Sequence, residues 1–94
     1  MSAYFIVGIT VTDPEDYKNY ASQTMASVES AGGRFLAKGG SQQILEGSGP
    51  ERHVIIEFPT REMAMDWYNS AEYRALMPIA LRASQRDFVL VEGI

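Results

Sequence analysis

The chain contains no cysteine and a single histidine, His53, among its 94 residues. The missing thiols exclude disulfides and thiolate chemistry, and one imidazole leaves too few convergent ligands for a protein-only metal centre. No metal and no cofactor are expected. No run of about 18 apolar residues occurs, so there is no candidate membrane span. A basic start followed by an apolar core and a small-residue cleavage site is also missing, which argues against a signal peptide and makes the cytoplasm the expected location. Basic residues are few: eight Lys and Arg against twelve Asp and Glu give a net charge of −4. Because they are scattered singly, no cationic stripe exists for phosphates, and neither nucleic acid nor a membrane is an expected partner. Gly32-Gly33 and Gly39-Gly40 lack both the lysine with serine or threonine and the helix start that a phosphate-binding loop requires.

With 46% hydrophobic and 21% charged residues, the composition describes one globular domain over residues 1–94. A domain this small buries only about 60–65% of its unfolded surface, so an interface would add usefully to its stability. The strand predicted over Tyr4 to Val11 shows where one is needed. Its side chains alternate, placing Phe5, Val7, Ile9 and Val11 on one face and Tyr4, Ile6, Gly8 and Thr10 on the other. The chain supplies enough helix to cover one face only. A second copy of the same chain is the simplest cover for the other, so a homodimer is expected.

Helix signals follow the strand: Asp13 suits an N-cap, Pro14 the first helical position, and Glu15 and Asp16 the positive end of the dipole. Tyr17, Tyr20, Ala21, Thr24, Val28 and Ala31 then recur at helical spacing, and Gly32-Gly33 supplies a left-handed cap. Arg34 to Lys38 reads as a strand, Gly39-Gly40 as a bulge or kink, Gln42 to Glu46 as a continuation or small extra strand, and Arg52 to Phe58 as the next strand. On this last strand Val54, Ile56 and Phe58 form the face expected to meet the helices, with His53, Ile55 and Glu57 opposite. Thr60 and Ser70 cap two helical segments, one carrying Met63, Ala64, Trp67 and Tyr68, the other Tyr73, Leu76, Met77 and Ala80, with Pro78 expected to kink or shorten the second. Phe88 to Glu92 is the last strand. The order is ferredoxin-like, βαββαβ, an α+β fold with both helical regions on one face of an antiparallel sheet.

Several segments together resemble the uncharacterised domain-of-unknown-function family 1330. They are Val11-Thr12-Asp13-Pro14-Glu15 with Tyr17, Gly32-Gly33-Arg34-Phe35-Leu36-Ala37, Leu45-Glu46-Gly47, Glu57-Phe58-Pro59, Trp67-Tyr68, Glu72-Tyr73 and Val91-Glu92-Gly93. The resemblance covers essentially the whole chain. It implies membership of the dimeric α/β-barrel superfamily, in which two sheets pack face to face. That superfamily includes cofactor-independent monooxygenases, haem-degrading enzymes, isomerases and ligand binders, so fold alone selects no activity.

Polar residues on predicted core elements are the candidates for chemistry. Glu57, flanked by Ile56 and Phe58, could have a raised pKa and act as a general base, with His53 as the other candidate base and Arg34 orienting an anionic or carbonyl group. Arg34 and Glu57 could equally pair with one another or across the interface. Arg82 and Asp87 are further polar candidates. His53 and Glu57 lie four residues apart on one strand, about 13 Å, too far to chelate one ion together. His53 as an axial haem ligand is the weaker reading that the resemblance adds. Ser41, Ser48 and Ser70 read as turn and cap residues. Tyr17, Tyr20, Trp67, Tyr68 and Tyr73 could wall a pocket for a small organic ligand, with Met25, Met63, Met65 and Met77 filling irregular space. Two functions stand: a dimer that binds a small organic molecule, with or without cofactor-free acid–base or oxygenation chemistry, and a non-catalytic accessory dimer.

Overall fold

Alternation in the first strand decides the layering of the molecule, a computed structural model that describes residues 1–94. In β1 (Ala3–Val11), Phe5, Val7 and Ile9 are fully buried while Tyr4, Ile6 and Thr10 are half-exposed on the other side. β1 pairs antiparallel with β3 (Arg52–Phe58) and β4 (Ser84–Glu92), and β3 pairs with β2 (Arg34–Lys38), giving the sheet order β2-β3-β1-β4. α1 (Pro14–Ser30), α2 (Arg61–Tyr68) and α3 (Ala71–Ala83) complete the βαββαβ order. The core joins Phe5, Val7 and Ile9 to Ile56 and Phe58 from β3 and to Trp67, Tyr73 and Leu76 from the helices. The sheet is open. No barrel closes within the chain.

The helix ends obey local chemistry. The Asp13 carboxylate accepts from the Asp16 N–H at 3.2 Å, Thr60 Oγ1 from Met63 N–H at 3.1 Å and Ser70 Oγ from Tyr73 N–H at 3.1 Å, so each helix start has a side-chain cap. α1 ends where Gly32 takes φ +92° and Gly33 N–H bonds back to the Val28 carbonyl at 2.9 Å. α3 runs on through Pro78 to Ala83 and is not shortened by it. One expectation fails locally and a second is met only as a kink. Gln42 to Glu46 forms no strand, because residues 39–51 leave the sheet as an exposed loop. The register irregularity of β2 falls between Phe35 and Ala37, at Leu36, while Gly39, at φ +72°, turns the chain and bonds to the His53 carbonyl.

The molecule is a slab of 31 × 31 × 16 Å, the thickness of one helix layer on one sheet. The uncovered face carries Tyr4, Ile6, Ile55, Val89 and Val91 in register, with Val89 and Val91 about half exposed (50% and 47%). At one end of this face the Pro50 ring sits where a Cβ on Gly8 would lie, at 2.7 Å.

Close approach of backbone to ring recurs at Gly33, where an added Cβ would meet the Phe58 ring at 2.7–2.9 Å. Gly33→Ala is expected to destabilise the fold by about 1–3 kcal/mol through overpacking. Gly40→Ala, whose Cβ meets nothing, should change the urea midpoint little, and equal effects of the two would refute the packing explanation.

Candidate functional site

α1 packs chiefly beside α3, while α2 sits on β1 and β3. That arrangement leaves a gap between α1 and the sheet. It is a cavity of about 280 Å³ with an apolar floor of Val7, Ile9, Phe35, Val54, Ile56 and Phe88. Its roof comes from α1, whose inward stripe presents Tyr17, Tyr20 and Thr24 at three- and four-residue spacing.

Into this apolar space β4 delivers a cation. Arg86 lies opposite Ile9 in the ladder and therefore points to the helix side. Its guanidinium donates from Nη1 to the Tyr20 hydroxyl at 2.9 Å and from Nη2 to the Tyr73 hydroxyl at 2.8 Å, and the two phenol oxygens are 2.8 Å apart. The same guanidinium lies 4.9 Å from the Phe88 ring centre and 5.2 Å from that of Tyr20. No carboxylate pairs with it. Burial opposes its charge, but the phenol oxygens of Tyr20 and Tyr73 outweigh that and hold its pKa above the ordinary arginine value. Burial pushes the Tyr73 and Tyr17 phenols above their ordinary range, despite the lowering influence of Arg86, so both stay neutral donors at physiological pH. The Thr24 hydroxyl, on the α1 wall, is buried without a hydrogen-bond partner. Exposed Lys18, Lys38 and Arg52 complete the lining. Lys38 Nζ reaches Met25 Sδ at 2.9 Å and stands 5.6 Å above the Phe35 ring.

Of the residues singled out in the sequence, Tyr17, Tyr20 and Met25 line this cavity. Tyr73 reaches its edge through the hydroxyl that meets Arg86. Trp67 is core: its ring centre is 4.3 Å from that of Tyr73, and its indole N–H donates to Ser27 Oγ at 3.0 Å. Tyr68 packs between Phe5 and Phe88 and beneath Arg74. Arg34, His53 and Glu57 lie elsewhere. Glu57 sits opposite Tyr4 on the uncovered sheet face, where it accepts from Arg34 Nε at 2.7 Å and from the Tyr4 hydroxyl at 3.3 Å. These bonds, chiefly the one from Arg34, hold the Glu57 carboxyl below its ordinary pKa, so the raised value expected of a general base does not arise. The nearby guanidinium explains the reversal: desolvation still pushes the other way, but it is outweighed by these bonds because Ile56 and Phe58 point to the other side. His53, opposite Gly8 on the same uncovered face, bonds through Nδ1 to Gln42 Oε1 at 2.9 Å. Arg82 is engaged by Asp16 at 2.7 Å, tying α3 to the start of α1. No three His, Cys, Asp or Glu side chains come together. Arg86 is hidden in the sequence because Ser84-Gln85-Arg86-Asp87 is a polar run without a strand signal of its own. Stepping back by twos from Leu90 through Phe88 would have placed Arg86 on the buried face.

The family described as "Domain of unknown function (DUF1330)" matches residues 2–94. No curated protein matches the chain. Among solved structures, a protein of unknown function from Rhodopseudomonas palustris is 14% identical with a TM-score of 0.80, covering 99% of this chain and 82% of its own. SnoaB, a cofactor-independent oxygenase from Streptomyces nogalater, is 8% identical with a TM-score of 0.66 over 99% of this chain and 93% of that one. A dimeric protein of unknown function and ferredoxin-like fold from Bacteroides fragilis is 15% identical, with a TM-score of 0.58 and coverages of 98% and 96%. At these identities the likeness establishes the ferredoxin-like fold alone.

The depressed Glu57 pKa fixes a pH dependence. A carboxyl whose folded pKa lies below its unfolded value of about 4.3 stabilises the fold above that pH and loses the contribution as pH falls through the folded pKa. Glu57→Gln is therefore expected to be less stable than the parent chain at pH 7, with the difference vanishing in acid. A difference independent of pH, measured by urea unfolding at several pH values, would contradict the ion-pair account.

Proposed function

The chain belongs to the DUF1330 family, and from that premise we propose that it works as a homodimer holding a small organic molecule in the cavity between α1 and the sheet. The observation that carries this reading is the arginine of β4, Arg86, held by two phenols over the apolar floor of the cavity and left without a carboxylate. A buried charge is costly unless it is paired. Half-buried Arg86 is met by two hydroxyls and two ring faces but by no carboxylate, which suits a site kept for something that enters. At about 280 Å³ the cavity is at the small end of ligand pockets, of which about 300–1,000 Å³ is typical.

Self-association through the uncovered sheet face explains what the slab leaves open. Ile6, Ile55, Val89 and Val91 form an apolar patch there, and a structural neighbour is described as dimeric. The Arg34–Glu57 pair and Tyr4 then serve the interface, while the cavity, on the opposite side of the sheet, keeps its opening to solvent. Chemistry within the cavity, if it turns a substrate over, is of the cofactor-free kind. The groups lining it are phenols, hydroxyls and cations, which stabilise developing negative charge on oxygen. Cofactor-independent oxygenation is the activity described for one neighbour of this fold.

Native mass spectrometry of freshly purified protein is expected to show a dimer carrying an additional small organic mass. Ala21→Phe, on the α1 wall of the cavity, should abolish that mass and leave the dimer intact. A bare dimer that takes up none of a panel of aromatic acids and their amides would overturn the ligand reading. A monomer at micromolar concentration would overturn the dimer.

A further inference from the structure

The charges of the chain are not distributed evenly around the cavity. Four of its eight basic residues, Lys18, Lys38, Arg52 and Arg86, line the cavity, and none of the twelve acidic residues does. Three of the other four, Arg34, Arg61 and Arg82, are engaged by Glu57, Glu92 and Asp16, whereas none of the cavity cations has a carboxylate partner. In a chain of net charge −4, such a concentration of unpaired positive charge creates a local potential opposite in sign to that of the whole molecule.

Building on the reading of this cavity as a ligand site, we propose that its ligand is a monoanionic, largely apolar carboxylic acid whose carboxylate docks on the Arg86 guanidinium. The arrangement of donors selects the charge. Arg86 spends one N–H of each terminal nitrogen on a phenol oxygen, and a guanidinium has further donors to offer. Its planar fork matches a carboxylate. Of the four cations only Arg86 is not exposed, so one charge is balanced inside and a doubly charged phosphate is less suited than a carboxylate. The floor of Val7, Ile9, Val54 and Phe88 sets the remainder of the ligand as an apolar body, and Phe88 and Tyr20 offer ring faces against it. Exposed Lys18, Lys38 and Arg52 attract the anion from solution. Arg86 binds it where water is scarce and the charge-assisted bond is stronger.

The test compares 2-naphthoate with 2-naphthamide, probes that differ in charge and little in shape, by isothermal titration calorimetry at pH 7 on the dimer as purified. Naphthoate is expected to bind about ten- to a hundredfold more tightly than the amide, the range a charge-assisted hydrogen bond supplies. Its advantage should shrink as salt is raised. Arg86→Met should erase the preference for the acid, whereas Arg52→Met should weaken both the affinity and its salt dependence but retain the preference. Equal binding of the two probes would overturn the anion assignment while leaving the ligand site standing. Binding of neither would overturn the ligand site itself. A preference unchanged in Arg86→Met would show the arginine to be a structural core cation. Should Arg86→Met not fold, the Arg86 side-chain N–H resonances of the parent protein give the same answer. A shift with naphthoate and none with naphthamide supports docking there, and silence with both overturns it.

Discussion

A sheet has two faces, and this chain owns helices for one. Every larger feature follows from that imbalance. The alternation in β1 sends Phe5, Val7 and Ile9 under the helices and leaves Tyr4 and Ile6 outside, so the slab stays 16 Å thick and its apolar surplus gathers on one side. The helix layer, freed from wrapping the sheet, is not packed uniformly. α2 lies directly on β1 and β3, α1 leans on α3, and the space below α1 becomes the cavity. The bare apolar face and the cavity are thus two outcomes of one shortage, placed on opposite sides of the same four strands.

The cavity keeps its charge by a triangle of weak partners. Neutral phenols from α1 and α3 meet each other and the guanidinium from β4, so three elements distant in sequence are fastened at one point. A carboxylate in their place would have neutralised Arg86. Phenols satisfy its geometry without cancelling its charge, and burial, by raising the phenol pKa of Tyr73, keeps that hydroxyl neutral beside it.

Much of the fold was legible because its signals are local. Asp13, Thr60 and Ser70 cap the helices expected of them, Gly32-Gly33 ends α1, and the period-two pattern of Val54, Ile56 and Phe58 faces the core. What failed was either weakly patterned or non-local. Gln42 to Glu46 has alternation too faint to hold a strand. Glu57 looked buried among apolar neighbours in sequence, but those neighbours belong to the other face, and its partner Arg34 lies on a different strand. The aromatic set divided, Tyr17 and Tyr20 lining the cavity and Trp67 and Tyr68 filling the core. Arg86 was invisible for a related reason: a polar run at the start of β4 hides a residue whose meaning comes only from Tyr20 and Tyr73, brought in by tertiary packing.

Trp67 is the single tryptophan of the chain, and its position has a practical consequence. Its indole lies tilted against Tyr73, ring centres 4.3 Å apart, and the Tyr73 hydroxyl is 2.8 Å from the Arg86 guanidinium. One aromatic ring therefore separates the only indole fluorophore from the charge at the cavity wall. The indole N–H is also tethered to Ser27, one turn along α1 from Thr24. The tryptophan emission of this protein thus comes from one place, a buried core position that shares its neighbours with the cavity, and the chain carries an intrinsic optical reporter of events there without any label.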